Sequence, residues 1–379
     1  MMQCQDNFHT TFSNYPDMYA YHLVQSTNSQ WKHSQVKKLR VEPLDKASFC
    51  YGNPGAFASG ISREAIEDTA ENLGLALRID GELYPLRDTA YKSLLDRAKI
   101  GGTALPKLER GVLAQTLNAC LKLYSSEALA LIRDEKVAAV HSGDQKDYSV
   151  LGIDALLQAL KLKLDERFPE NEFEQGYSDH SISSASWRLP KQKDDLLGVY
   201  TGLLAAQGKT KLADRLMPGI RFITSDTGVA SAKVSALLMG LSYPIHIGGC
   251  IEVEHRHGSE IKDFDAALDQ LFAQFGDQVA KLQKLMDIRL DYPVNAMTRV
   301  CKKLSMPKKA AMEAIAMYEM SYGSGPATAH DVYLAMQEIL FNLKTDGTPE
   351  SKLLTVEENL ARALSLPWQE YDLAKAVAY

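Results

Sequence analysis

Residues 248–261, GGCIEVEHRHGSEI, place the thiol of Cys250, the carboxylates of Glu252, Glu254 and Glu260, and the imidazoles of His255 and His257 in one short run. His246 lies just upstream and Asp263 just beyond. Thiolates, imidazoles and carboxylates are the donors that hold zinc or iron, so a metal site is the first chemistry to weigh. If 250–257 is a strand, Ile251, Val253, His255 and His257 share one face, and Cys250, Glu252, Glu254 and Arg256 share the other. His255 and His257 then reach toward a single ion, with His246 or Asp226 as candidates for a missing ligand. The same pattern also reads as a strand end, with an inner half in the core and an outer half in water. A third reading makes Arg256, His255 and His257 a weakly basic, anion-binding edge.

Other chemistry has less to stand on. GLLAAQGKT (202–210) looks like a phosphate-binding loop, but five residues separate Gly202 from Gly208 where that loop has four, and the preceding run reads as helix. A helix ending at Gly208 is the expectation. GxSxG and HExxH are both missing from the sequence. Three basic clusters stand out: Lys37, Lys38 and Arg40; Lys209, Lys211 and Arg215; and Lys302, Lys303, Lys308 and Lys309. With Tyr177, Trp187 and Arg188 they supply the cations and π-faces by which single-stranded nucleic acid is held. Each cluster taken alone also fits a solvated helix face.

The elements that must position these groups are legible in outline. The chain of 379 residues is 45% hydrophobic and 24% charged, with a formal charge of −6, which predicts a folded protein and excludes a uniformly basic surface. The first residues lack the basic and apolar regions of a secretory signal, and no apolar run reaches membrane-spanning length, so a cytoplasmic protein is expected. Cys4, Cys50, Cys120, Cys250 and Cys301 are scattered without a CxxC pair, as reduced thiols would be.

Residues 1–40 carry Phe8, Phe12, Tyr15, Tyr19, Tyr21 and Trp31 in a polar background, which reads as an aromatic arm that oligomerises the chain. Asp80-Gly81 marks a hairpin within 76–86, and 127–142 repeats the form around a looser Asp134-Glu135-Lys136 turn. Leu108, Val112, Leu113, Leu117, Cys120 and Leu121 make one helical stripe. Strands are expected on both sides of Ser225-Asp226-Thr227-Gly228 and of Gly248-Gly249. Phe264 to Leu285 follow one stripe down a long helix, and Thr328 with Asp331, and Thr355 with Glu358, have the spacing of capping boxes. The fold class is therefore α+β: antiparallel meanders packed with helices over 41–290, then an all-helical region over 291–379.

The order of several segments resembles the phage/plasmid-like proteins, a family of uncharacterised function carried by bacteriophages and mobile plasmids. The likeness rests on Leu83-Tyr84-Pro85-Leu86, Leu117-Asn118, Ala139 to Leu160 with His141-Ser142 and Tyr148, the Ser225-Asp226-Thr227-Gly228 turn, Cys250 to Gly258, and Ala329 to Ile339. Where the family carries Asn-Gly after the cysteine, this chain has Ile251-Glu252. The resemblance implies a mobile-element context and no mechanism. Taken together, the expectation is a non-enzymatic, cofactor-free phage or plasmid protein that binds single-stranded nucleic acid, and supports annealing as an oligomer assembled through residues 1–40. The alternatives are a metal-dependent enzyme centred on His255 and His257, and a scaffold that touches no nucleic acid.

Overall fold

Short alternating runs separated by turn residues set the strands in the computed structural model, which describes residues 3–241 and 243–379. In chain order the strands of the three larger sheets are β1 (His9–Phe12), β2 (Gln30–Gln35), β3 (Arg40–Pro43), β4 (Leu75–Ile79), β5 (Glu82–Pro85), β6 (Glu127–Arg133), β7 (Lys136–Ser142), β8 (Glu172–Asp179), β9 (Ser183–Arg188), β10 (Met217–Thr224), β11 (Ala232–Met239) and β12 (Ile245–Val253), and a short ribbon pairs Arg289–Leu290 with Ala327–Thr328 among the later helices. Among the described residues the main sheet has six antiparallel strands in the order β1-β8-β9-β10-β11-β12. Two three-stranded sheets, β2-β6-β7 and β3-β4-β5, build the other lobe. A helical C-terminal region follows, so the α+β class holds.

Turn chemistry explains the hairpins. Asp80 and Gly81 take φ of 47° and 94°, as a type I′ turn requires, and link β4 to β5. The β6–β7 turn is tighter than its sequence suggests. Asp134 and Glu135 take φ of 49° and 68°, and Lys136 already pairs with Arg133. The Glu135 carboxylate accepts from the Ser62 amide at 2.6 Å, one contact that holds this non-glycine pair in place. Only one strand runs through 245–253 where two were expected: Gly248, at φ 91°, lets β12 pass, with a register irregularity against β11 between Ser235 and Leu237.

The apolar stripe over 264–285 is buried as expected, but it is carried by two helices, Ile261–Ala273 and Phe275–Met286, that meet at Gln274. Thr328 and Asp331 form the expected reciprocal cap of the helix Ala329–Met336. Thr355 caps nothing. It lies inside the helix Glu350–Ala361, which starts directly after Pro349, and its hydroxyl donates to the Ser351 carbonyl. Gly208, at φ 78°, ends the helix Lys193–Ala206, in place of a phosphate loop.

The largest core joins the main sheet to the helices around it and takes in the C-terminal region: Trp187, Phe222, Phe264, Val300, Tyr333 and Trp368 belong to one cluster. Residues 291–379 thus share their core with the sheet. The described residues 3–40 are not an arm. β1 pairs with β8, β2 pairs with β6, and Met18 is fully buried in the main core. Burial explains the aromatic content: Phe12, Tyr15 and Tyr19 pack against that core from the chain's own helix Tyr15–Asn28 and strand β1. Asp6 and Asp68 both accept from the fully buried Lys136, at 2.9 and 2.5 Å. Among the described residues no helix is long and apolar enough to cross a membrane, and all five cysteines are free thiols.

Candidate functional site

Segments far apart in the sequence meet where the two lobes join. The Tyr148 ring lies flat on His141, with centroids 3.6 Å apart and planes 3° apart, and His255 stacks with Tyr148 at 5.8 Å, its plane 9° away. Trp31 of β2 packs against both His141 and Tyr148 at 6.1 Å. The backbone carbonyl of Asp226 accepts from the Tyr148 hydroxyl and from His141 Nε2, each at 2.9 Å. A carbonyl oxygen only accepts, so the His141 proton sits on Nε2 and Nδ1 keeps its lone pair. Burial, partly offset by the Asp226 carbonyl bond, lowers the pKa of His141 to about 4, and the ring is neutral at pH 7.

The Asp226 side chain turns the other way, into an ion pair with Arg133. Burial alone would raise this carboxyl, but the Arg133 charge outweighs it and holds the group below the usual carboxylate range. The SDTG turn is thus pinned on both sides: its backbone by the aromatic column, its acid by an arginine of β6. Ser225 Oγ also accepts from the amides of Thr227 and Val229, which curls the loop 225–231. Gly228 has φ of 78°, and a Cβ there would press to 3.3 Å from His141 Cε1.

Above the column lies a cleft of about 550 Å³. Its walls come from the helix Asp88–Ala98 (Lys92, Ser93, Asp96, Arg97), the end of β7 (His141, Ser142), the loop 225–231, and Lys233, Glu252, Glu254 and Arg256. Most of its charges are engaged. Asp147 accepts from Ser142, Glu254 lies 4.0 Å from Arg256, and Lys233 pairs with Glu358 at 3.0 Å. Half-buried Arg97 differs: its side chain has no hydrogen bond or ion pair among the described residues, and its Nε is buried and unpartnered.

The residues singled out by sequence fall mostly elsewhere. His255 and His257 do not share a face, because β12 ends at Val253. His255 is buried, its Nδ1–H directed at the Ser149 carbonyl at 3.3 Å, while His257 turns out into solvent at φ 59°. Among the described residues no three His, Cys, Asp or Glu side chains converge as a metal site would need. Trp187 is fully buried, edge-on to Phe173, and offers no face to a base. Arg188 pairs with Glu174, Lys209 with Asp331, and Lys309 with Asp346, while Lys302 donates to the Ala378 carbonyl at 2.9 Å. Lys211, Arg215, Lys303 and Lys308 are exposed. None of these nine lines the cleft.

Two residues quoted for the family resemblance, His141 and Tyr148, do meet the SDTG turn there. Of the cleft's charged groups, Glu252, Glu254 and Arg256 belong to the run 248–261 singled out by sequence, whereas Lys92, Arg97 and Lys233 were missed, and no spacing in the sequence marks them. No protein-family model, no curated protein and no solved structure matches the chain.

Proposed function

We propose that the chain is a non-enzymatic phage or plasmid protein that binds single-stranded nucleic acid, and that the strand lies in the cleft above the Trp31–His141–Tyr148–His255 column. The mobile-element part rests on the sequence resemblance alone. Arg97 carries the binding part: a half-buried guanidinium without a partner is costly, and a phosphate supplies the bidentate, charge-assisted acceptor that satisfies it. Asp96, the neighbouring acid, is exposed and solvated, so it competes weakly for that charge. Gly228 and Ala230, whose amides make no hydrogen bond among the described residues, add donors on the opposite wall. Because His9–Phe12 and Gln30–Gln35 pair within the chain's own sheets, they are not a free arm through which copies assemble.

The test is a titration of labelled single- and double-stranded oligonucleotides across a salt series. Arg97→Ala is expected to weaken single-strand binding and to flatten the slope of log affinity against log salt by about 0.7, one phosphate contact. Replacing Lys302, Lys303, Lys308 and Lys309 together by Ala should leave both unchanged. A wild-type protein that binds no single strand at low salt, or an Arg97 variant that binds like wild type, rejects the proposal in favour of a scaffold role.

A further inference from the structure

Lys233 lines two cavities at once. On one side is the cleft just described; on the other, past β12, is a smaller pocket of about 290 Å³ walled by His246, Gly248, Lys281, Arg362 and Ser365. Lys281 donates to the side-chain carbonyl of the neutral Gln278 amide at 2.8 Å and has no carboxylate partner, and the exposed Arg362 guanidinium has neither hydrogen bond nor ion pair among the described residues. Two acids, Glu252 and Glu358, also line this pocket, and both are held toward Lys233, at 3.9 and 3.0 Å.

His246 completes the set as a neutral donor. Its Nδ1 accepts from the Gly248 amide at 3.3 Å, which leaves the proton on Nε2, and that N–H has no partner among the described residues. Gly248 is required at this place. At φ 91° it avoids the strain a side chain would meet, and a Cβ would stand 3.4 Å from Lys281 Nζ, against the group that charges the pocket. Burial, and then the charges of Arg221, Lys233 and Lys281, keep the His246 ring uncharged, so it donates without adding a charge that must be neutralised.

We propose that this second pocket holds a phosphate group through Lys281, Arg362 and His246 Nε2–H. It deepens the reading of the cleft as a strand-binding site: Lys233 bridges the two cavities, and the phosphate is the one a strand presents after it passes that lysine. The same chemistry fits a free phosphomonoester, so two arms are needed.

In the first arm, inorganic phosphate is titrated into the full chain while the histidine imidazole resonances are followed by NMR. A saturable shift of His246, with buried His255 unmoved, is expected in the wild type and lost in the Lys281→Met/Arg362→Gln double variant. Both exchanged side chains lie at the surface or partly so, and circular dichroism checks that the fold is kept. An unmoved His246, or an equal shift in the double variant, overturns the site whatever the cleft does. In the second arm, short and long oligothymidylates compete with phosphate. A strand-derived phosphate requires that the long oligomer displace phosphate from His246, and that the double variant lose the long oligomer's extra affinity while binding the short one normally. Displacement by thymidine monophosphate but not by a bound long oligomer overturns the strand path and leaves a phosphomonoester pocket. Failure of the cleft reading shows separately, as an Arg97→Ala variant that binds the short oligomer like wild type.

Discussion

At the scale of the residue, Asp226 fastens the SDTG turn to the β6–β7 hairpin twice, because its carboxylate and its carbonyl each find a partner there. Its carboxylate neutralises Arg133, and its carbonyl accepts hydrogen bonds from Tyr148 and His141. Asp226→Asn keeps the shape but leaves the Arg133 charge in a buried place without its counterion, which costs about 3–5 kcal/mol. Tyr148→Phe removes one of two donors to a carbonyl that His141 still serves, and costs about 1 kcal/mol. Urea unfolding of both variants decides whether the ion pair holds the loop: equal losses would mean that it does not.

At the scale of the element, positive-φ glycines separate turns that need only a conformation from turns that also need space. Gly81 (φ 94°) meets nothing within 4 Å of its missing Cβ, so Gly81→Ala should cost only the left-handed strain of about 1–2 kcal/mol. Gly240 (φ 95°), directly after β11, has the Arg215 carbonyl oxygen 2.0 Å from where a Cβ would stand. Gly240→Ala must push two backbones apart at the sheet and should lower the melting temperature far more than Gly81→Ala. A melt in which the two variants match would show that the 215–216 backbone yields freely. Asn118 makes a comparable point for an edge strand. Its side chain accepts from the Val41 amide and donates to the Val41 carbonyl, both at 2.8 Å, so a helix side chain does for β3 what a neighbouring strand would do.

At the scale of the whole molecule, buried neutral histidines make the protein acid-labile. Burial, with nearby positive charge in each case, holds His22 and His180 at about 3, and His141 and His246 at about 4. Above the unfolded value of about 6.5 neither state binds these protons, and the stability is fully present. As pH falls below that value the unfolded chain takes protons that the folded chain refuses. Stability then declines toward the folded pKa values, by up to about 1.4 kcal/mol per pH unit for each histidine. The urea midpoint should therefore drop between about pH 7 and about pH 5, and a flat profile would contradict the burial of these rings. Truncation is a second global test. Removing residues 1–35 deletes β1, β2 and Met18 from the chain's own sheets and core, so loss of the folded state, seen by circular dichroism, is expected. A folded, truncated monomer would restore the separate arm.

What the sequence settled by itself was local. The Asp80-Gly81 turn, the Thr328 cap, the helix end at Gly208, the buried stripe over 264–285 and the α+β class all follow from backbone preferences and periodicities acting over a few residues. The site was not legible in that way, because its chemistry depends on partners brought in by packing. His141 meets the Asp226 carbonyl across 85 positions, and Lys209 meets Asp331 across 122. Burial reversed the role of Trp187, and ion pairing that of Lys209, while Arg97 gained its interest from what does not lie beside it. The Phe and Tyr residues of 1–40 signalled a need for cover, but only the pairing of β1 with β8 and of β2 with β6 decided that this chain supplies it. Apolar surface must leave water in any fold, and which surface covers it is fixed by the three-dimensional arrangement of the sheets.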